Sequence, residues 1–136
     1  MSNPLTRLAD VGQSVWYDYI RRDLYTGPTL KRLIEDDGLR GMTSNPTIFQ
    51  KVIADSALYD EDVRRQAGTT RDAGQIFEAL AVADVRAASD AFRPVYDATG
   101  GDDGFVSIEV APHLARDTQG TIVEARRLWK SCDRPN

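Results

Sequence analysis

This sequence of 136 residues is poor in residues that mark several common classes of protein. Cys132 is its only cysteine, so no internal disulfide can form. His113 is its only histidine, and it has no cysteine or acidic motif beside it. Zinc sites and catalytic triads both need such neighbours. We therefore expect no metal site in this chain.

Long apolar runs and clustered basic residues are also missing. No apolar stretch approaches the ~20 residues that a membrane-spanning helix requires. The start of the chain, Met1 to Pro4, lacks the basic and apolar parts of a secretory signal. The net charge is −4, from 17 basic and 21 acidic side chains, and neither sign forms a long block. These features argue against a membrane span and against a nucleic-acid surface, which needs a clustered basic face. They predict a cytoplasmic protein.

What the sequence does contain is an ordinary globular composition, 41% hydrophobic and 28% charged. Its length predicts one domain, residues 1–136. Short apolar runs predict strands at Ser14–Asp18, Leu39–Thr43 and Phe105–Val110. Helical spacing of apolar residues predicts helices at 3–11, 28–36, 46–54 and 58–67, from 72 onward, and from 117 to about 132. Strands that alternate with helices indicate an α/β fold with a parallel sheet.

The helix patterns also predict a set of core-facing residues. We expect Asp72 to cap the longest helix, with Gln75 completing a capping box. Pro94 should kink or end that helix. The first strand, 14–18, is predicted to be buried. Leu5, Leu8 and Val11 share one face of the first helix. The residues expected to face the core from the second and last helices are Leu30, Leu33, Ile34, Ile122, Ala125, Trp129 and Cys132.

The stretch Gly41–Phe49 is the most informative part of the chain, because a strand runs there into a helix through Ser44-Asn45-Pro46-Thr47. Pro46 disfavours the α conformation at Asn45 and suits the first position of a helix. Asn45 is thus predicted to be extended at a strand–helix junction, which is where parallel α/β proteins bind ligands. Two interpretations stay open for Asn45: a helix N-cap alone, or a ligand-binding residue.

Two carboxylates lie at or just beyond the carboxyl ends of the other predicted strands. Asp18 is the last residue of the first predicted strand. The alternative to a role in a site is that Asp18 caps a following turn on the surface. Glu109 lies between Ile108 and Val110, where a buried carboxylate would need a partner. That partner is either an arginine in a structural ion pair, Arg116 or Arg40, or a ligand.

Three separated motifs resemble the transaldolase family. Gly41–Phe49 resembles the first signature of the family, and Phe105–Val110 resembles the third strand of its barrel. Asn3–Leu5 through Gly12–Asp18 resembles the start of bacterial transaldolases that also occur fused to glucose-6-phosphate isomerase. The resemblance covers essentially the whole chain. It implies the amino-terminal portion of a (β/α)8 TIM barrel with about three parallel strands, because a complete barrel needs ~250 residues.

The resemblance also implies an activity, the transfer of a dihydroxyacetone unit between sugar phosphates in the pentose phosphate pathway. The reaction passes through a Schiff base on a lysine and needs no metal or organic cofactor. The positions of Asp18 and Glu109 correspond to catalytic residues of the family, and that of Asn45 to a substrate-binding residue. The implied substrates are fructose 6-phosphate, sedoheptulose 7-phosphate, erythrose 4-phosphate and glyceraldehyde 3-phosphate.

The Schiff-base lysine is the main departure from the family pattern. Lys31, Lys51 and Lys130 are the only lysines, and all three fall in predicted helices rather than at strand ends. We expect the family's lysine to lie beyond Asn136 and this chain alone to be inactive. The alternative is a truncated non-catalytic α/β module or a sugar-phosphate binder. Open edges of a partial sheet also predict association with other chains.

Overall fold

A computed structural model describes residues 3–136; residues 1 and 2 of the predicted domain lie outside the described residues. Its sheet has three strands, β1 (Val15–Tyr17), β2 (Leu39–Met42) and β3 (Phe105–Val106). The strand order is β1-β2-β3, and both neighbouring pairs are parallel. This confirms the predicted α/β class with three parallel strands.

Helices surround the sheet at nearly the predicted positions. Helix α3 has the predicted bounds, whereas the short helix α1 was not predicted. The helices are α1 (Arg22–Thr26), α2 (Thr29–Asp36), α3 (Pro46–Ala54), α4 (Asp60–Ala67), α5 (Ala73–Ala98) and α6 (Thr118–Cys132). Single 3-10 turns or short 3-10 helices lie at Thr6–Val11, Ala57–Tyr59 and Pro112–Leu114.

The core lies between the sheet and the helices, and α5 contributes most of it. Among the 26 residues of α5, seven are buried, because the helix runs across the sheet with one long side against it. The predicted burial of α2 is confirmed, with Leu30 buried and Leu33 and Ile34 packed against the core. The buried apolar residues of α5 are Leu80, Val85, Ala88, Phe92 and Val95.

The start of α5 confirms the predicted cap but not the capping box. Asp72 accepts hydrogen bonds from the backbone N–H groups of Gly74 and Gln75 at 2.8 and 3.2 Å. The side chain of Gln75 accepts instead from the hydroxyl of Thr70 at 2.9 Å, and the Thr70 oxygen accepts from the backbone N–H of Asp72 at 3.2 Å. The backbone N–H of Asp72, which was expected to donate to Gln75, therefore donates to Thr70 instead.

Pro94 does not end α5, since the helix continues to Ala98, and the alternative of a kink stays a prediction. Proline removes one backbone donor from the helix. Phe92 and Val95, on either side of it, are buried in the core. This packing favours continuing the helix, so tertiary contacts override the local penalty.

Two predictions of burial are wrong. In β1, which was predicted to be buried, Trp16 is 41% exposed. Residues 6–11 form a 3-10 helix, and Leu8, Val11 and the preceding Leu5 are exposed. Helix α6 buries Leu128 and Cys132, whereas Ile122, Ala125 and Trp129 are exposed.

Helix α6 contacts α5 through a polar cluster and a buried apolar stripe. Arg127 binds Glu78 of α5 through two hydrogen bonds of 2.7 and 2.5 Å and also contacts Glu124. The buried stripe of α6 consists of Leu128 and Cys132. The sequence carries two apolar stripes on α6, and the contact with α5 selects between them.

A buried ionic network joins α5 to two other elements. The carboxylate of Asp84 is fully buried and accepts from the hydroxyl of Tyr59 at 2.6 Å and from Arg22 at 3.0 Å. Burial lowers the pKa of Arg22, but hydrogen bonds to Asp84 and Asp62 outweigh it and leave the pKa raised. Burial, followed by the bond to Asp84, raises the pKa of Tyr59. The network therefore holds α1, the 57–59 turn and α5 together.

Removing this carboxylate should destabilise the fold strongly. We expect Asp84→Ala to lower the free energy of unfolding by about 3–5 kcal/mol, because the buried Tyr59 hydroxyl loses its acceptor and Arg22, which keeps Asp62, loses its buried partner. Asp90→Ala is the matched control on the same helix. Asp90 is paired with Arg134 but 54% exposed, so its loss should cost about 0–1 kcal/mol. Urea unfolding at one fixed protein concentration measures both, and equal effects would contradict a special role for Asp84.

Candidate active site

The carboxyl ends of the three strands meet at one edge of the sheet, because the strands are parallel and adjacent. Asp18 directly follows β1, Asn45 lies three residues after β2, and Glu109 lies three residues after β3. The register aligns Trp16, Gly41 and Phe105 in one row across the sheet. These three site candidates thus leave the sheet on the same side.

Gly41 is required in that row because the indole of Trp16 lies against its backbone. A Cβ atom at position 41 would come within 2.4–2.7 Å of three ring carbons of Trp16. Real Cβ atoms do not approach so closely, so only glycine fits without moving the ring. The glycine that begins the 41–49 motif therefore allows β1 and β2 to pair with Trp16 in place.

Thr43, the first residue after β2, joins it to the end of β1. Its backbone N–H donates to the carbonyl oxygen of Tyr17 at 3.0 Å. Its hydroxyl donates to Oδ1 of Asp18. The side chain of Asp18 is exposed, and this hydroxyl is its hydrogen-bond partner within residues 3–136.

Ser44, the next residue, joins β2 to the end of β3. It is buried, its hydroxyl donates to the carbonyl oxygen of Ser107 at 2.6 Å, and its N–H donates to the Ser107 hydroxyl at 3.4 Å. The backbone N–H of Ser107 donates in turn to the carbonyl oxygen of Met42 at 3.0 Å. Side-chain hydroxyls therefore extend the contact of β2 and β3 beyond the last residue of β3.

Asn45 is extended, as predicted, with φ −88° and ψ 124°, and it caps α3. Its Oδ1 accepts from the backbone N–H groups of Thr47 and Ile48 at 2.9 and 3.3 Å. The interpretation of Asn45 as an N-cap is thus confirmed. Within residues 3–136 its side-chain nitrogen has no hydrogen-bond acceptor, so the cap leaves an amide donor available to a ligand.

Asn45 and Glu109 line the same small pocket at this edge. Ser44 also lines it, and its apolar wall consists of Ile20, Pro46, Phe49, Phe77, Ala81, Val85 and Ile108. Asp18 is not part of this lining and adjoins the site through Thr43. Asn45 and Glu109 therefore line one pocket, whereas Asp18 lies outside its lining and is connected to the site through Thr43.

The environment of Glu109 differs from the prediction. Strand β3 ends at Val106, so Glu109 lies in an irregular segment and its side chain is exposed. Within residues 3–136 it forms no ion pair, with Arg116, Arg40 or any other residue. Beyond the end of the strand, the hydroxyl and carbonyl oxygens of Ser107 bind Ser44. The argument from desolvation of a buried carboxylate is therefore wrong.

The three lysines lie where the sequence predicts, on the outer surface of helices. Lys31 is in α2, Lys51 in α3 and Lys130 in α6, and all are exposed. Lys31 forms an ion pair with Glu35, one turn away, at 2.7 Å. None of the three is at the carboxyl end of a strand.

Two further features limit the chemistry of the described part of the chain. Residues 3–136 contain no group of three or more His, Cys, Asp or Glu side chains arranged to hold a metal ion. No helix in that range is both long enough and apolar enough to cross a membrane.

The sequence analysis did not identify Thr43, Ser44 and Ser107 as site residues. The only feature of the sequence that could have indicated them is a side-chain hydroxyl directly after a strand.

The cap formed by Asn45 allows a stability test. Asn45→Ala should lower the free energy of unfolding by about 1 kcal/mol, because two backbone donors of α3 lose their acceptor. Asn45→Asp should stay near the wild type, since a carboxylate also caps and is favourable at a helix N-terminus. Gln50→Ala, exposed on the same helix, is the control. Urea unfolding measures all three, and an unaltered Asn45→Ala protein would contradict the cap.

Comparison with known proteins finds one family across nearly the whole chain. Residues 15–136 match the sequence model of the family described as Transaldolase/Fructose-6-phosphate aldolase. The chain is 49% identical over all 136 residues to a transaldolase of Frankia alni and 47% identical over 126 residues to one of Thiobacillus denitrificans. It is 45% identical over 134 residues to the protein named Transaldolase 2 of a Nostoc species.

These matches cover 93–100% of this chain but only 35–37% of the relatives. The chain thus spans about a third of the length of the curated relatives it matches. An open sheet of three parallel strands agrees with that share, because the barrel of this family has eight strands. With most of its length matched to the family and an identity near one half, the chain belongs to the transaldolase/fructose-6-phosphate aldolase family.

Proposed function

We propose that this chain supplies the acid–base and carbon-chain-binding part of a transaldolase site. The observation that carries the proposal is the convergence of Asp18, Asn45 and Glu109 at the carboxyl edge of one parallel sheet. In barrel enzymes that edge holds the active site. The transaldolases to which the chain is similar support the same assignment.

The proposed reaction begins with a lysine outside these 136 residues. Its amine attacks the carbonyl of a ketose phosphate, and loss of water leaves a Schiff base. The C3–C4 bond then breaks, its electron pair moves into the Schiff base, and the C4 hydroxyl proton passes to Asp18 as the aldehyde leaves. An acceptor aldehyde reacts by the reverse sequence, and water then releases the new ketose from the lysine.

The other two residues take the roles that the family resemblance implies. Asn45 donates a hydrogen bond from its side-chain nitrogen to the three-carbon unit, since its oxygen is occupied by the helix cap. Glu109 positions the water that leaves and later attacks the Schiff base, and its exposed carboxylate is accessible for that role. We propose fructose 6-phosphate and sedoheptulose 7-phosphate as donors, and erythrose 4-phosphate and glyceraldehyde 3-phosphate as acceptors, in the cytoplasm.

One observation favours a second candidate for the chain by itself. All three of its lysines are exposed on helices, away from the strand ends. We propose as this second candidate a non-catalytic module that binds a sugar phosphate without forming a Schiff base. This non-catalytic module and the partial enzyme differ in a single measurable property, covalent capture of the substrate.

A chimera tests the proposal. In this chimera, residues 1–136 replace the matching region of the Frankia alni relative. The chimera is incubated with fructose 6-phosphate and borohydride. Borohydride reduces a Schiff base to a stable amine. The chimera should gain the mass of a reduced dihydroxyacetone adduct, and residues 1–136 alone should gain none. Asp18→Ala should lower turnover about 10²–10⁴-fold. Glu109→Gln should slow the steps that add or remove water more than carbon–carbon cleavage.

Two results would contradict this assignment. An adduct on Lys31, Lys51 or Lys130, located by peptide mass, would show that the chain carries its own nucleophile. A folded chimera without adduct or turnover would favour the non-catalytic module.

The edges of the sheet lead to a separate expectation for residues 1–136 in isolation. β1 and β3 are the edge strands; Asn136 binds the backbone of β3 at Val106, whereas Trp16 and Tyr17 of β1 are exposed. An unpaired edge such as that of β1 is a template for association. Sedimentation should therefore show species larger than a monomer, with the proportion rising with protein concentration. A monomer at all concentrations with a sharp cooperative thermal transition would contradict it, and the chimera is the control.

A further inference from the structure

Thr43 contacts the end of β1 at two points. Its N–H donates to the carbonyl oxygen of Tyr17 at 3.0 Å, which fixes its backbone beside the residue that precedes Asp18. Its hydroxyl donates to Oδ1 of Asp18. The backbone contact alone sets the register, so the hydroxyl adds a constraint that acts only on the Asp18 side chain.

That constraint matters because little else holds the Asp18 carboxylate. Asp18 follows a strand of three residues and is exposed. An exposed aspartate has several staggered conformations available. Within residues 3–136, Oδ1 is engaged by Thr43, whereas Oδ2 has no hydrogen-bond donor. The hydroxyl thus selects one orientation and leaves a single carboxylate oxygen open.

We propose that Thr43 is a positioning residue that orients Asp18 for proton transfer. This inference rests on the proposed function, in which Asp18 takes the C4 hydroxyl proton as the C3–C4 bond breaks. Oδ2 accepts that proton while Oδ1 keeps the hydrogen bond from Thr43. Thr43 itself contacts no reacting atom in this assignment and acts only through Asp18.

The residue type fits the role. Threonine is β-branched and therefore restricted at χ1, which suits a hydroxyl that must point in one direction from an extended backbone. Valine has nearly the same shape without the hydroxyl, and serine has the hydroxyl without the methyl group. This pair of substitutions separates shape from hydrogen bonding.

The test uses the chimera with fructose 6-phosphate as the probe. Thr43→Val should lower kcat about 10- to 100-fold, because a small misplacement of a reacting group is costly. The KM should change little, and Thr43→Ser should restore most of the rate. Borohydride should still trap a Schiff base in Thr43→Val, now with the uncleaved six-carbon sugar. Thr69→Val, an exposed position in the turn after α4, is the control and should have no effect.

A double-mutant cycle shows whether Thr43 acts through Asp18. In a chimera that already carries Asp18→Asn, adding Thr43→Val should lower kcat no further, because the group that Thr43 orients is gone. A purely structural role would give additive losses. Thermal unfolding of every variant identifies any that fail to fold, and Thr43→Ala, which removes the hydroxyl without adding an apolar group, replaces Thr43→Val in that case.

The outcomes separate this inference from the proposed function. An inactive wild-type chimera without adduct overturns both. An active chimera in which Thr43→Val retains full kcat overturns the role of Thr43 alone. Losses that are additive with Asp18→Asn, or a Thr43→Ser variant as slow as Thr43→Val, also overturn it and leave the proposed function standing.

Discussion

The parallel pairing of β2 on both of its sides is the constraint on which the candidate site depends. β2 is the central strand of the described sheet, and its register fixes where β1 and β3 end relative to it. Because the three strands point the same way, residues far apart in sequence leave the sheet at one edge. Gly41 permits this arrangement at the position where the indole of Trp16 crosses β2.

Three consecutive residues after β2 each connect that strand to another element of the site. Thr43 binds Asp18 after β1, Ser44 binds Ser107 after β3, and Asn45 caps α3. Each uses a side-chain oxygen, and each connects β2 to a different element. Together with the backbone bonds of Thr43 to Tyr17 and of Ser107 to Met42, these side-chain hydrogen bonds continue the lateral contacts of the sheet where the short ladders stop.

The helix layer is stabilised by different means. Helix α5 combines an apolar face with the buried carboxylate of Asp84, which binds Arg22 and Tyr59 from other elements. A buried carboxylate is costly without partners, so this network restricts how the elements can pack. Glu78 of α5 also binds Arg127 of α6 through two hydrogen bonds. The positions of the helices thus depend on a few polar contacts as well as on apolar burial.

The sequence by itself determined the class of fold, the order of strands and helices, the extended Asn45 before Pro46, and the helical positions of the three lysines. These follow from local rules of periodicity, capping and proline geometry. It also carried the motifs of the family, which the matched relatives bear out. The three acidic and amide site candidates were named from strand ends together with the family resemblance, and their chemical roles stay predictions.

Only the tertiary structure decided which faces are buried and which hydroxyls contact the site. Trp129 and Ile122 are exposed because α6 buries the stripe of Leu128 and Cys132 instead. Helix α5 passes Pro94 because buried neighbours outweigh one lost donor. Glu109 is exposed because the segment after β3 is irregular, and the hydroxyl of Thr43 binds Asp18. Local patterns specify where elements begin and end, but contacts between distant residues set their rotation and the direction of their side chains.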